Sequence, residues 1–239
     1  MTGAFPPVRA VLFDKDGTLI DFQATWGPTF HALIAHLAGN DEAVMERLAK
    51  ASGYHLDSRT FDADSVLVAG SNDDVVEAYA EILGLADPSA LALEVNAIIG
   101  EMSLPFLSGF PDLDAATARL LELGLVLGVA TNDSEASARA QMQALGLTDR
   151  FRSIIGFDSG HGAKPAPGMV TAFCTLNDLA PGEVVMVGDS LHDMHAGRAA
   201  GARTLAVTTG LIEPATLEGH ADAIVGSLAA AVDWISAQR

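Results

Sequence analysis

The chain has 239 residues, enough for one large domain or two modest ones, and its mean hydropathy of +0.30 supplies a full core and excludes global disorder. Its 31 acidic residues outnumber 13 Lys and Arg, and a net charge of −18 would repel a nucleic-acid backbone, so a nucleic-acid partner is not expected. No apolar stretch reaches membrane-spanning length, residues 1–13 lack the pattern of a signal peptide, and the one cysteine, Cys174, excludes a disulfide framework; a cytoplasmic protein with no membrane partner is expected.

The first element is VRAVLF at 8–13, an apolar run of strand length that ends in Asp14, Lys15, Asp16, Gly17 and Thr18. Residues 21–107 then offer no convincing buried strand. They carry four amphipathic helical patterns: Phe30/Leu33/Ile34/Leu37, Val44/Met45/Leu48, Val75/Val76/Tyr79/Ile82/Leu83 and Leu91/Val95/Ile98/Ile99. Pro28, Asn40, Ser71 and Pro88 stand near their starts. From about residue 108 the texture changes to alternating helices and strands. A helix is expected with Leu113, Ala116, Leu120 and Leu121 on one face, stopped at Gly124, and then a strand at 125–131. Next come a helix from Ser134 to Leu145, strands at 153–157, 183–189 and 202–209, and a weaker strand at 221–225. Helices from Met169 to Leu179, His192 to Ala200 and Leu228 to Ile235 fill the remaining gaps.

Strands that are apolar throughout, rather than alternating, belong to a parallel sheet covered on both faces. The expected fold is therefore α/β: a doubly wound, parallel, Rossmann-like core from residues 1–20 and 108–239, with an inserted helical domain at 21–107.

Ligands of such sheets bind beyond the carboxyl ends of the strands. The first strand delivers Asp14 and Asp16 there, the second Thr131, Asn132 and Asp133, and the fourth Asp189, Ser190 and Asp193. Lys164, in GAKPAPG, follows the third. Taken singly each piece is ordinary: Asp-x-Asp-Gly is a common turn, and Thr or Ser after a strand commonly caps a helix. Four independent caps have no reason to share one edge in this order.

The set resembles the haloacid dehalogenase superfamily. DKDGTLID is similar to its first motif, AT in VATND to its second, Lys164 in GAKPAP to its third and GDSLHD to its fourth. LPFLSGFPDL is similar to the return from a helical cap, and the motifs and cap together resemble phosphoglycolate phosphatase-like members. The resemblance implies a phosphatase acting on a small phosphate ester through an aspartyl-phosphate. Asp14 would be its nucleophile, Asp16 its general acid and base, Thr131 its phosphoryl ligand and Lys164 its charge neutraliser. It further implies Mg²⁺ held by Asp14, Asp189 and the Asp16 carbonyl, Asp193 supporting the metal or Lys164, and Gly17, Thr18 and Asn132 at the substrate.

The chemistry fits those residue types. A phosphate dianion facing carboxylates needs a divalent cation and a lysine to offset repulsion, and an oxygen-only donor set suits Mg²⁺. Asp16 needs an acid's freedom to give a proton to the leaving alkoxide and later take one from water. Alternation would place Asp14 and Asp16 on the same side of the strand, with the turn at Gly17 aiming Asp16 at the leaving group.

Two features depart from the pattern. Lys15 stands where many relatives have an apolar residue, and its side chain is expected to point away from the site. His192 and His195 flank Asp193 at helical spacing, and the plain reading is a helix face rather than a transition-metal site. In the inserted domain Trp26 reads as packing between cap and core. Arg59, in GYHLDSRTFD, is a candidate reader of a substrate carboxylate, against the alternative of a solvated surface arginine. Other readings remain open. A β-phosphoglucomutase-type phosphotransferase uses the same four motifs, and a catalytically silent homologue could bind phospho-ligands without turnover. A dehalogenase is disfavoured because halide departure does not need Asp16. Neither the substrate nor the oligomeric state is fixed by these residues.

Overall fold

The computed structural model describes residues 6–62, 65 and 72–239. They form two compact units, one of residues up to Asp21 together with Gly109–Arg239, the other Phe22–Ser108. Eight strands run in chain order among the described residues. They are β1 (Ala10–Phe13), β2 (Tyr54–His55), β3 (Thr60–Phe61), β4 (Val126–Ala130), β5 (Ser153–Ile155), β6 (Val184–Gly188), β7 (Arg203–Val207) and β8 (Ala223–Val225).

Six of them make one parallel sheet in the order β5-β4-β1-β6-β7-β8, the doubly wound α/β core that the apolar runs predict. β1 lies between β4 and β6, with Phe13 opposite Val129 on one side and Val187 on the other. The chain builds outward from β1 first toward β5 and then toward β8, so the crevice of a doubly wound sheet opens at the carboxyl end of β1. All four β1 side chains are buried, and a buried Phe or Leu contributes about 2–3 kcal/mol from area alone.

The strands are shorter than the apolar runs. Asp222 already bonds Thr204 through its amide before β8 begins, whereas beyond β5 Phe157 turns away to the Asp133 carbonyl.

Ten α-helices are present among the described residues. In the Phe22–Ser108 unit they are α1 (Phe22–Leu37), α2 (Glu42–Ala51), α3 (Asn72–Leu83) and α4 (Pro88–Ser103). In the sheet unit they are α5 (Leu113–Glu122), α6 (Glu135–Ala144), α7 (Gly168–Leu176), α8 (Leu191–Ala200), the four-residue α9 (Pro214–Leu217) and α10 (Leu228–Ser236). On α5 the buried stripe is Leu113, Ala116, Thr117 and Leu120, while Leu121, expected inside, is 40% exposed because it lies about 100° around the helix from Leu120. α7 ends at Leu176, earlier than its apolar pattern, and Asp178 at φ 53 turns the chain away.

The helical unit packs its own core around Trp26, Phe30, Leu33, Leu48, Tyr79 and Leu91. Trp26 belongs to this core, edge-on to Phe30 at 6.4 Å. Two sequence expectations change here. Pro28 lies inside α1 rather than at its start, since a φ near −65° fits a helix and costs one backbone bond. Asn40 takes φ 62 at the end of α1, a conformation asparagine tolerates, and Asp41 caps α2 by accepting from the Ala43 and Val44 amides. Pro88 does start α4, next to its cap Asp87, and Ser71 lies outside the described residues. The region also holds an antiparallel pair, β2 with β3, too short to register as an apolar run. The Tyr54 hydroxyl donates to the Gly27 carbonyl at 2.6 Å, pinning this hairpin to α1. No single helix among the described residues is long and apolar enough to cross a membrane.

Candidate active site

The carboxyl end of β1 carries Asp14, whose amide continues the ladder by donating to the Val187 carbonyl. The chain then wraps tightly: the amides of Thr18, Leu19 and Ile20 all converge on the Lys15 carbonyl, and the Gly17 amide returns to Ile20. Gly17 sits at φ 82, where a side chain is strained, and a Cβ there would press on the Asp189 carboxylate. Gly210, just beyond β7, has the same constraint, because its Cβ would overlap Asp189 as well. Two glycines thus leave room for one carboxylate, and the Thr209 hydroxyl donates to the Gly17 carbonyl at 2.6 Å to close the turn. Asp16 lies past the strand, in this turn, rather than on its alternating face.

Asp14, Asp189 and Asp193 bring carboxylate oxygens within 4.8 Å of one another. Lys164 stands between two of them, with Nζ 2.5 Å from Asp14 Oδ1 and 2.6 Å from Asp193 Oδ1. The other oxygen of Asp193 accepts from the amide and hydroxyl of Ser190, the N-cap of α8, so Asp193 both starts that helix and holds the lysine. Burial pushes Asp14 up to about 7; Lys164 pulls it down, and Asp193 and Asp16 push it further up. Burial and the charges of Asp14 and Asp193 likewise hold Asp189 well above the usual carboxylate range. Burial alone would lower Lys164, but Asp14 and Asp193 outweigh it and keep the ammonium charged.

The second strand end contributes Thr131 and Asn132. The Thr131 hydroxyl faces Asp16 Oδ2 at 3.5 Å and accepts the Asp133 amide at 3.1 Å. Asn132 uses its whole side-chain amide on Lys164: Nδ2 donates to the Lys164 carbonyl at 2.9 Å, and Oδ1 accepts the Lys164 amide at 2.8 Å. That clamp makes Asn132 a support for the lysine's backbone. The Thr18 hydroxyl is buried, with no hydrogen-bond partner among the described residues.

Lys15 departs from expectation. Its side chain does not point away: the fully buried Nζ lies 3.0 Å from Asp16 Oδ1, 2.8 Å from Asp16 Oδ2, 3.0 Å from Asp133 Oδ2 and 2.6 Å from Gln141 Oε1. A charge that cannot reach water must find carboxylates, and Asp16 and Asp133 are the ones within the length of its stem. Burial would lower its pKa, but the two carboxylates raise it above the ordinary lysine value. Sequence reading missed Gln141 as well, although a polar residue on the buried stripe of α6 was its signal.

Two other candidates are Arg59 and the histidines of α8. Arg59 is exposed in the turn between β2 and β3 at φ 56. His195 is exposed and faces the half-buried His220 at 3.3 Å, so that part of α8 is a surface face rather than a part of the carboxylate cluster.

A cation fits this centre. Asp14, Asp189 and Asp193 converge, the Lys164 ammonium bridges two of them, the donors are all oxygens, and two glycines keep side chains away from Asp189. A hard divalent ion would offset the burial that, together with repulsion among these acids, raises Asp14 and Asp189.

The profile of the haloacid dehalogenase-like hydrolases matches residues 8–201. An N-acetylmuramic acid 6-phosphate phosphatase of Pseudomonas aeruginosa is 31% identical, over 91% of this chain and 90% of that one. A phosphoglycolate phosphatase of Chromobacterium violaceum is 32% identical, over 95% and 96%. Among solved structures, a putative β-phosphoglucomutase from Thermotoga maritima superposes with a TM-score of 0.70 at 20% identity, over 96% of this chain and 99% of that one. The chain belongs to the haloacid dehalogenase-like hydrolases.

Proposed function

We propose that this protein is a Mg²⁺-dependent phosphatase that hydrolyses a small phosphate monoester through a phosphorylated Asp14. The observation that carries the reading is the buried Asp14 carboxylate held by Lys164 within a cluster of three aspartates at the switch point of the sheet. The names of the relatives, a phosphoglycolate phosphatase and an N-acetylmuramic acid 6-phosphate phosphatase, support the substrate class.

In this reading Asp14 and Asp189, with the Asp16 carbonyl, hold the ion. When bound, Mg²⁺ offsets the negative charge of the phosphoryl group and the carboxylates around it. Asp14 attacks phosphorus, a bond forms from its oxygen, and the bond to the leaving oxygen breaks. Asp16 gives its proton to that departing alkoxide and recovers one from the water that cleaves the aspartyl-phosphate. Lys164 and the Thr131 hydroxyl bind phosphoryl oxygens, and Asn132 and Asp193 keep the lysine in place.

Residues 22–108 are the proposed cap domain, and Arg59 its candidate for a substrate carboxylate. If Arg59→Ala leaves KM unchanged for carboxylated and neutral esters alike, that part of the reading falls. The main test is phosphate release from p-nitrophenyl phosphate and from a panel of phosphorylated metabolites. Release that requires Mg²⁺ and is lost in Asp14→Asn supports the phosphatase; inactivity across the whole panel overturns it.

A further inference from the structure

The resemblance gives roles to Asp14, Asp16, Thr131, Lys164 and Asp189 but none to the lysine between the two first-strand acids. Lys15 is fully buried, and its ammonium is saturated: both oxygens of Asp16, one oxygen of Asp133 and the side-chain oxygen of Gln141 lie within 3.0 Å. Its three neighbours come from different elements. Asp16 is in the β1 turn, Asp133 follows β4, and Gln141 is on the buried side of α6.

Asp133 is itself fixed, accepting the Ser134 amide at 2.7 Å through one oxygen and the Ser137 hydroxyl at 2.7 Å through the other. The Asp16 carboxylate is partly exposed, at 19%, and its Oδ2 also faces the Thr131 hydroxyl at 3.5 Å. A short acid on a glycine turn has rotamers to lose, and a buried ammonium touching both of its oxygens removes them. Had the lysine served only packing, an apolar side chain would fill the same space without the cost of burying a charge.

We propose that Lys15 is a positioning residue for Asp16, tying its carboxylate through Asp133 and Gln141 to the start of α6 so that the acid meets the leaving-group oxygen. This rests on the phosphatase reading above. In the step concerned, the Asp14 oxygen bonds to phosphorus as the ester P–O bond breaks. The Asp16 O–H bond then breaks as the alcohol O–H forms, and the hydrolytic water later gives Asp16 a new proton as it bonds to phosphorus and the Asp14–phosphorus bond breaks. Lys15 touches none of the reacting atoms. It sets where the Asp16 oxygen stands when the alkoxide departs.

The test exploits the leaving group. p-Nitrophenolate departs without a proton, whereas the alkoxide of phosphoglycolate needs one from Asp16. Lys15→Met keeps the length and the apolar stem. The readout is the ratio of kcat/KM for phosphoglycolate to that for p-nitrophenyl phosphate, in which the fraction of folded enzyme cancels. General acid catalysis commonly supplies about 10²- to 10⁴-fold, and a mispositioned acid forfeits part of it, so the ratio is expected to fall about tenfold or more in Lys15→Met. Equal losses on both esters, or no loss on either, overturn the positioning role while leaving the phosphatase intact. Where phosphoglycolate is not hydrolysed, the best alkyl ester of the panel takes its place, and wild-type inactivity across the whole panel overturns the phosphatase reading and this inference together.

Discussion

Two buried lysines serve neighbouring carboxylates at one sheet edge, and they are built differently. Lys164 arrives on the loop after β5, is clamped by Asn132 through its main chain, and reaches the Asp14–Asp193 pair with its tip. Lys15 starts from the turn just after β1, next in sequence to the acids, and reaches the Asp16–Asp133 pair on the side of α6. One lysine faces the proposed nucleophile and the cation cluster; the other faces the proposed proton carrier. The difference teaches that a charge buried beside a nucleophile stabilises what forms there, while a charge buried beside a partly exposed acid fixes where that acid stands.

Exchanging the lysines' partners is not possible, but each can be removed. Lys164→Met takes a cation from the phosphoryl group, so kcat/KM is expected to fall about 10²- to 10³-fold, by similar factors for aryl and alkyl esters. A loss confined to alkyl esters would break the comparison, because it would give Lys164 the duty assigned to Lys15.

Magnesium sharpens the contrast from the other side. Asp14 has its folded-state value near 7, above the ordinary 3.8. The folded protein without metal therefore holds a proton that the unfolded chain has lost, and this group's contribution to stability declines as pH rises from about 4 to about 7. A cation binds the ionised form, so its stabilisation is expected to be small at pH 5 and larger at pH 8, reaching about 2.7 kcal/mol at 100 times Kd. Thermal unfolding at both pH values, with and without Mg²⁺, measures this; an equal gain at pH 5 and pH 8 would contradict it. The Lys15 side, with no convergent set of three acids around it among the described residues, is expected to leave that gain intact in Lys15→Met.

Gln141→Leu makes the smallest change. It removes one neutral anchor from Lys15 and keeps both carboxylates, so the alkyl-to-aryl ratio is expected to fall only about two- to threefold, the same direction as Lys15→Met, since a single hydrogen bond contributes about 0.5–1.5 kcal/mol. A rise in that ratio would break the chain of support from α6 to Asp16.

The sheet was legible because a doubly buried parallel strand must be apolar along its whole length, as in VVMVG of β6. The site residues were legible because the carboxyl ends of those strands converge, which turns four unremarkable turns into one rim. Lys15 was not. Its identity was plain, yet alternation after β1 is broken by the turn at Gly17, and the stem's direction depends on a carboxylate 118 residues away in sequence at Asp133 and an amide oxygen 126 residues away at Gln141. The β2–β3 hairpin was hidden for a different reason: two-residue strands have no period to read, and they hold through Tyr54 on Gly27 and the packing of Phe61.

The central claim is that Asp14 carries the phosphoryl group. Acid quenching during turnover of phosphoglycolate with Mg²⁺, followed by mass spectrometry of the peptide around FDKDGTLID, tests it directly. The expected result is a phosphoryl group on Asp14 that is absent in Asp14→Asn; steady phosphate release with no phosphorylated Asp14 at any quench time, or with the group on another residue, would contradict it.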